Sequence, residues 1–271
     1  MNTQKLYKIL TNLPATKKMP ALFIGHGSPM NAIQDNVFSR TWRDLGKWLP
    51  YPNAILSISA HWITPKETKV TIMTSPKTIH DFYGFPESLF LQQYPAPGAV
   101  DYASHTIELM QKSHVKSDHE WGLDHGTWSV LIQMYPKADI PVYQLSLDYS
   151  RPPVYHYEIA KDLKKLREKG VLIIGSGNMV HNLRMMHMNR DPYDWAIEFD
   201  RMITGYINNR DFHSAAHFQD LGNLAKMAHP THDHYLPLMY ILALAEEHSK
   251  IIYFNEGFDL SSVSMKSFVV I

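Results

Sequence analysis

Three short runs of small and apolar residues constrain this chain more than anything else in it. Ala54-Ile-Leu-Ser-Ile-Ser-Ala60, Ala21-Leu-Phe-Ile-Gly25 and Val171-Leu-Ile-Ile-Gly-Ser176 lack the polar alternation of a half-exposed strand. They read as strands buried on both faces, as in a parallel sheet covered by helices on each side. Each run leads to a histidine: His61 and His26 directly, His181 a few residues on. Ligands of open α/β sheets gather at the carboxyl ends of strands. Three separated strand ends carrying imidazoles therefore point to one site, and its donors suit a metal ion.

Periodic stretches fill the intervals. Residues 37–49 set Val37, Trp42, Leu45 and Leu49 near helical spacing, and Pro152 to Glu168 reads as a helix closed by Gly170. Pro192 to Asn209 carries Trp195, Phe199, Met202 and Tyr206 along one side, most simply the side facing the core. A half-buried strand is expected at Lys69 to Thr74, a central one at Val142 to Leu147, and two more at Lys250 to Phe254 and Ser261 to Ile271. Alternation in the last predicts an edge or antiparallel position. With no internal repeat or linker, the strand and helix rhythm predicts a single catalytic α/β domain over residues 19–271. Its central sheet is mixed but mostly parallel, with helices on both faces, and residues 1–18 form a loosely ordered leader.

Other histidines sit in turns. Gly25-His26-Gly27-Ser28-Pro29 is a tight turn without the Gly-x-Ser-x-Gly of a hydrolase elbow. In Asp124-His125-Gly126-Thr127 the histidine opens an apolar helix, where the dipole favours a neutral imidazole able to bond a substrate oxygen. Alternatively Asp124 or Thr127 caps that helix and His125 is a bystander. His80-Asp81-Phe-Tyr-Gly84-Phe85-Pro86 is an aromatic loop, either a lid over a flat substrate or a segment pinned to the core with Asp81 capping a turn. Gly175-Ser-Gly177-Asn178 lacks the third glycine of a dinucleotide loop and is expected to swing the chain into a helix near His181. The densest cluster is His229-Pro-Thr-His232-Asp233-His234-Tyr235-Leu-Pro237, where Thr231 to Asp233 should cap a helix running from Tyr235 to His248.

Composition narrows the chemistry. Lys+Arg and Asp+Glu are equal at 26, which leaves no electrostatic footprint for nucleic acid or an anionic membrane. A small-molecule partner fits that balance better. There is no cysteine, so a metal must be held by nitrogen and oxygen. No signal h-region or membrane-length apolar run is present, and a cytoplasmic location is expected. Three nitrogen ligands leave coordination positions open for a reaction, which zinc would use to activate water and ferrous iron to bind substrate and dioxygen.

Six motifs, in order, carry a resemblance that covers nearly all of the chain from Met19 onward. Gly25-His26-Gly27-Ser28-Pro29, Ser59-Ala60-His61-Trp62, His80 to Pro86, Asp124-His125-Gly126, Gly177-Asn178-Met-Val-His181-Asn182-Leu183 and His234-Tyr235-Leu236-Pro237 resemble the class III extradiol ring-cleaving dioxygenases. The match is strongest to the branch of DOPA 4,5-dioxygenases. The resemblance implies a mononuclear non-haem Fe(II), often replaced by zinc in purified protein, on His26, His61 and His234. Many class III enzymes place a glutamate at the last position; none is present here, and Asp233 offers an alternative carboxylate. It also implies that His181 is the acid/base residue or, with zinc, a fourth metal ligand, and that His125 bonds the catecholate or the oxygen adduct. L-DOPA would give a seco-DOPA by 4,5-cleavage. His80 and Tyr235 are the expected substrate contacts. A zinc hydrolase using the same histidines, with His181 or Asp233 as base, and a non-enzymatic metal-binding protein are the rival readings.

Overall fold

In the computed structural model, which describes residues 18–188 and 190–271, the three apolar runs are neighbouring strands of one six-stranded sheet. Its strands are β1 (Ala21–Gly25), β2 (Ala54–Ser59), β3 (Val142–Gln144), β4 (Val171–Gly177), β5 (Ile251–Phe254) and β6 (Ser267–Val270), in the spatial order β3-β2-β4-β1-β6-β5. The pairs β3/β2, β2/β4 and β4/β1 are parallel, whereas β1/β6 and β6/β5 are antiparallel. The sheet is therefore mixed and mostly parallel, as expected, within a single α/β domain. The expected leader falls almost wholly on residues 1–17, outside the described residues.

Period-two alternation explains why the apolar runs needed both faces covered. Phe23, Leu56 and Ile173 point into one core layer, shared with Ile159 of α3 (Pro153–Ala160), Phe199 of α4 (Asp194–Asn208) and Met239 of α5 (Leu236–Ala243). Leu22, Ile55 and Leu172 point the other way, against Trp42 of α1 (Val37–Trp48) and Trp128 of α2 (His125–Met134). Helix α5 is buried on every side, consistent with its almost wholly apolar sequence. Helix α1 is amphipathic and closed by a reciprocal capping box between Asn36 and Ser39, a cap worth about 1 kcal/mol.

Several expectations are corrected. Val37 is 64% exposed, because α1 turns Thr41, Trp42 and Leu45 inward and leaves its first residue at the rim. On α4 the buried line is Ala196, Phe199, Ile203 and Ile207, so Trp195, Met202 and Tyr206 lap the flanks of the stripe. The strand from Val142 stops at Gln144 and lies at the sheet's edge, and Leu147–Asp148 pairs separately with Ile63–Thr64. The strand at Lys69–Thr71 pairs in parallel with Lys116–Asp118, outside the main sheet. The helix expected over 152–168 breaks at a 3-10 turn, Lys161–Leu163, and the one expected to reach His248 ends at Ala243. The C-terminal strand is antiparallel but internal, seated between β1 and β5. Among the described residues no helix is long and apolar enough to cross a membrane.

Candidate active site

Parallel register brings the histidines to one level. Gly25 of β1 pairs with Gly177 of β4, and Ser59 of β2 with Ser176, so the three strands end together at their carboxyl edge. His26 and His61 leave β1 and β2 at that edge, and their Nε2 atoms face each other at 3.1 Å. Asp124 caps α2, accepting from Thr127 N, and so sets His125 as the first helical residue, its ring centroid 3.8 Å from that of His61. The next residue must be small: a Cβ on Gly126 would meet Ser59 Oγ at 2.5 Å and His61 Cδ2 at 2.9 Å. His234 arrives from the far end of the chain through Gly177, where a Cβ would lie 2.2 Å from His234 O. Asn178 N donates to that same carbonyl at 2.9 Å. The incomplete glycine motif in this turn thus admits a second backbone rather than a phosphate.

Oxygen atoms behind the rings bias which nitrogen of each carries the proton. Ser176 Oγ gives its only proton to Gly126 O at 2.5 Å, so at His26 Nδ1, 2.9 Å away, it can only accept. Asp233 Oδ2 accepts from His234 Nδ1 at 2.5 Å, and Asp81 Oδ2 stands 3.4 Å from His61 Nδ1. Each ring thus has an oxygen acceptor on its Nδ1 side, an arrangement that favours the proton there and leaves the Nε2 lone pair free, as in a metal-bound imidazole. Two lone pairs facing across 3.1 Å repel one another unless a cation lies between them. The spacing itself suits one: metal–nitrogen bonds of about 2.0–2.1 Å put two ligand nitrogens roughly 2.9 Å apart at a right angle and about 3.4 Å apart in a tetrahedron. The residues present therefore fit a divalent metal ion.

The tightest nitrogen set, all within 4.8 Å of one another, belongs to His26, His61 and His125. The ring of His234 lies on the other side, its centroid 5.3 Å from that of His26 and 5.0 Å from that of His61. Asp233 stands behind His234, on the Nδ1 side, rather than beside it as an alternative donor. Burial, and after it the neighbouring imidazoles, holds His26 and His61 well below the ordinary histidine range, so both are neutral, as ligation requires. Burial pushes the Asp233 carboxyl up, but the bond and charge of His234 together with the Thr231 hydroxyl outweigh it and the net shift is strongly downward.

His181 is not on a helix. Its backbone N–H donates to Ala228 O at 3.0 Å and its strand-like bridge is to Val263, an arrangement that lays its ring flat on His234, centroids 3.5 Å apart and planes within 5°. Burial, followed by the His234 ring, lowers its pKa as well. All five imidazoles line a cavity of about 490 Å³ whose walls include Phe82, Tyr83 and Phe85 of the aromatic loop and Leu183, Met186 and Val263. Phe82 packs edge-on against His125 and Tyr83 is 92% exposed, so the aromatic loop is pinned by one ring and free at the next.

Neither expected substrate contact faces this cavity. Tyr235 is fully buried, with its hydroxyl on Ala215 O and its ring against Phe218, because Leu236 and Pro237 carry it into the α5 core layer. His80 bonds Gln92 O and packs beside Trp128 and Phe90. Sequence reasoning missed Ser176 and the hub role of Asp81. Ser176 carried no signal beyond its place at a strand end, and Asp81 had one only in its adjacency to an aromatic loop.

Residues 20–266 match the family described as the catalytic LigB subunit of aromatic ring-opening dioxygenase. The chain is 44% identical over 259 residues to the 4,5-DOPA dioxygenase extradiol of Escherichia coli K12, covering 93% of this chain and 95% of that one. It is 36% identical over 254 residues to the protein of the same name from Beta vulgaris, covering 91% and 94%. A crystal structure of an uncharacterized protein from Escherichia coli K12 matches with a TM-score of 0.82 at 40% identity, over 93% of this chain and 100% of that chain.

Proposed function

The chain belongs to the LigB family of aromatic ring-opening dioxygenases, the class III extradiol enzymes, and from that membership we propose that it opens the ring of a catechol such as L-DOPA with O2, by 4,5-cleavage to seco-DOPA. The reaction is metal-dependent, with His26, His61 and His234 holding Fe(II) in the active enzyme and zinc fitting the same donors. The observation that carries this reading is the convergence of three imidazoles, each with an oxygen acceptor on its Nδ1 side, in an aromatic-walled cavity. His234 is preferred to His125 as third ligand because a carboxylate accepts squarely from its Nδ1, whereas His125 Nδ1 approaches Asp81 Oδ2 at 3.0 Å off the line of a hydrogen bond.

The bound cation would acidify the catechol and hold it beside dioxygen. The remaining steps belong to the protein. His181, kept neutral by burial and lying against His234, takes the second catechol proton and returns it to the opened product. His125, opposite, bonds a substrate oxygen. Phe82 and Phe85 flank the flat ring and help exclude water. After anaerobic loading with Fe(II), the protein should consume O2 and form a yellow product from L-DOPA. Zinc-loaded protein should consume none; oxygen-independent hydrolysis by the zinc form would favour the hydrolase reading instead.

A further inference from the structure

Asp81 is placed where one carboxylate meets two histidines. Its Oδ1 accepts the His125 backbone N–H at 2.9 Å. Its Oδ2 lies 3.0 Å from His125 Nδ1 and 3.4 Å from His61 Nδ1. A helix cap alone does not account for this arrangement. Helix α2 already has an N-cap in Asp124, which accepts from Thr127 N, and capping uses one oxygen, whereas Oδ2 lies beside two ring nitrogens that capping does not involve. The same residue belongs to the loop whose Phe82, Tyr83 and Phe85 wall the cavity.

We propose that Asp81 is a positioning residue that holds the proton of both His61 and His125 on Nδ1. Both Nε2 lone pairs are thereby turned toward the cavity, His61 to ligate the metal and His125 to accept from substrate. A carboxylate is negatively charged and has no proton to offer, so a ring nitrogen 3.0 to 3.4 Å from it is more stable carrying its proton than bare, even where the contact is too oblique for a hydrogen bond. With the proton held on Nδ1, His61 does not shift to the tautomer that would put N–H where the cation belongs. For His125, an acceptor nitrogen is aimed at the space a catechol hydroxyl would occupy. Asp81 does this from a cavity-wall loop, so the position of Phe82 against His125 and the proton positions in the two rings are set together.

Asp81→Asn separates this role from loop anchoring. The amide keeps its oxygen for the His125 N–H, yet places an NH2 group against the two Nδ1 atoms and favours their becoming acceptors. The full-length chain should then lose about 10- to 100-fold in Zn(II) affinity, measured against a competing chelator, with its melting temperature essentially unchanged. Asp81→Glu, which restores a carboxylate, should recover part of the affinity. Imidazole nitrogen–proton correlation spectra of the metal-free wild type should show His61 and His125 protonated at Nδ1, and of Asp81→Asn at Nε2. The inference rests on the reading of His61 as a metal ligand, but these spectra need no metal and test it separately. Nε2-protonated rings in the wild type, or an Asn variant that binds zinc as tightly as the parent, would overturn it.

Discussion

Ser176 holds His26 in one tautomer. Its hydroxyl proton is committed to Gly126 O, so the same oxygen accepts from His26 Nδ1 at 2.9 Å and leaves Nε2 bare, 3.1 Å from its counterpart on His61. Ser176→Ala removes the acceptor and frees His26 to adopt the other tautomer. Zinc affinity is expected to fall about tenfold or more, at a stability cost of about 1 kcal/mol for the lost buried hydrogen bonds. Isothermal titration with Zn(II) beside a urea melt measures the two effects, and unchanged zinc binding would show that His26 needs no such partner.

Charge on the substrate's tail should matter little. Among the described residues no lysine or arginine lines the 490 Å³ cavity, whose walls beyond the histidines are aromatic and aliphatic apart from Ser28 and Asp81. The α-carboxylate of L-DOPA therefore finds no fixed cation there. Replacing L-DOPA by an uncharged para-alkyl catechol should change kcat/KM by less than about tenfold, since only a site built to pair a polar group rejects its absence by 10⁴ or more. Steady-state oxygen uptake with both substrates decides; a thousandfold preference for L-DOPA would mean that the charge is recognised.

The main sheet and the strand-end histidines were legible in the sequence for one physical reason: a strand buried on both faces cannot hide polar residues, so Ala54–Ser59 and Val171–Gly177 advertise themselves and where they end. What was not legible depends on tertiary contact. The edge position of Val142–Gln144 is invisible locally, because an edge strand packed under helices is as apolar as a central one. Tyr235 looked available because it neighbours His234, yet the start of α5 turns it into the core. Asp81 lies 44 residues before the helix whose first N–H it binds, and no local pattern reports such a partnership.

Two glycines should respond oppositely to alanine. At Gly177 a Cβ would sit 2.2 Å from His234 O, so the β4 end and the His234 segment must separate and the Asn178 N–H bond stretch. Gly177→Ala should cost about 1–3 kcal/mol and weaken zinc binding through His234. At Gly205, inside α4, a Cβ meets nothing within 4 Å, and alanine there should stabilise by about 0.5–1 kcal/mol with zinc affinity untouched. Equal effects of the two on metal binding would rule out the close approach at Gly177 as the link.

Arg167 fastens three segments distant in sequence. Its buried guanidinium donates to Met19 O at 2.6 Å, Leu244 O at 3.0 Å and Val270 O at 3.2 Å, and burial brings its pKa down to about 10. Arg167→Met fills much of the volume but takes a charged donor from three carbonyls, and a hydrogen bond to a charged group contributes about 1.5–3 kcal/mol. A loss of about 3 kcal/mol or more is expected in a urea melt, a large part of a typical domain's 5–15 kcal/mol. Arg167→Lys should recover some of it, short of the whole, because an ammonium lacks the planar fork.

Acid should unfold the protein partly through a histidine that does not line the cavity. His156 is fully buried between Asp148 O, 3.1 Å from Nε2, and the Tyr240 hydroxyl, 3.0 Å from Nδ1, and burial pushes its pKa down to about 4. In the unfolded chain it returns to the model-compound value of about 6.5, so between those two values the unfolded state binds more protons and stability rises with pH. The contribution is present in full above about pH 6.5 and is lost as pH falls toward 4. A pKa difference of about 2.5 corresponds to about 3 kcal/mol. His229, lowered to about 4 chiefly by its own burial, acts with the same sign, so removing one histidine removes only part of the slope. His156→Gln keeps a donor and an acceptor but no titrating proton. Its urea stability should fall less steeply than that of the parent between pH 7 and 4.5, and parallel curves for the two proteins would mean that His156 is not the group being protonated.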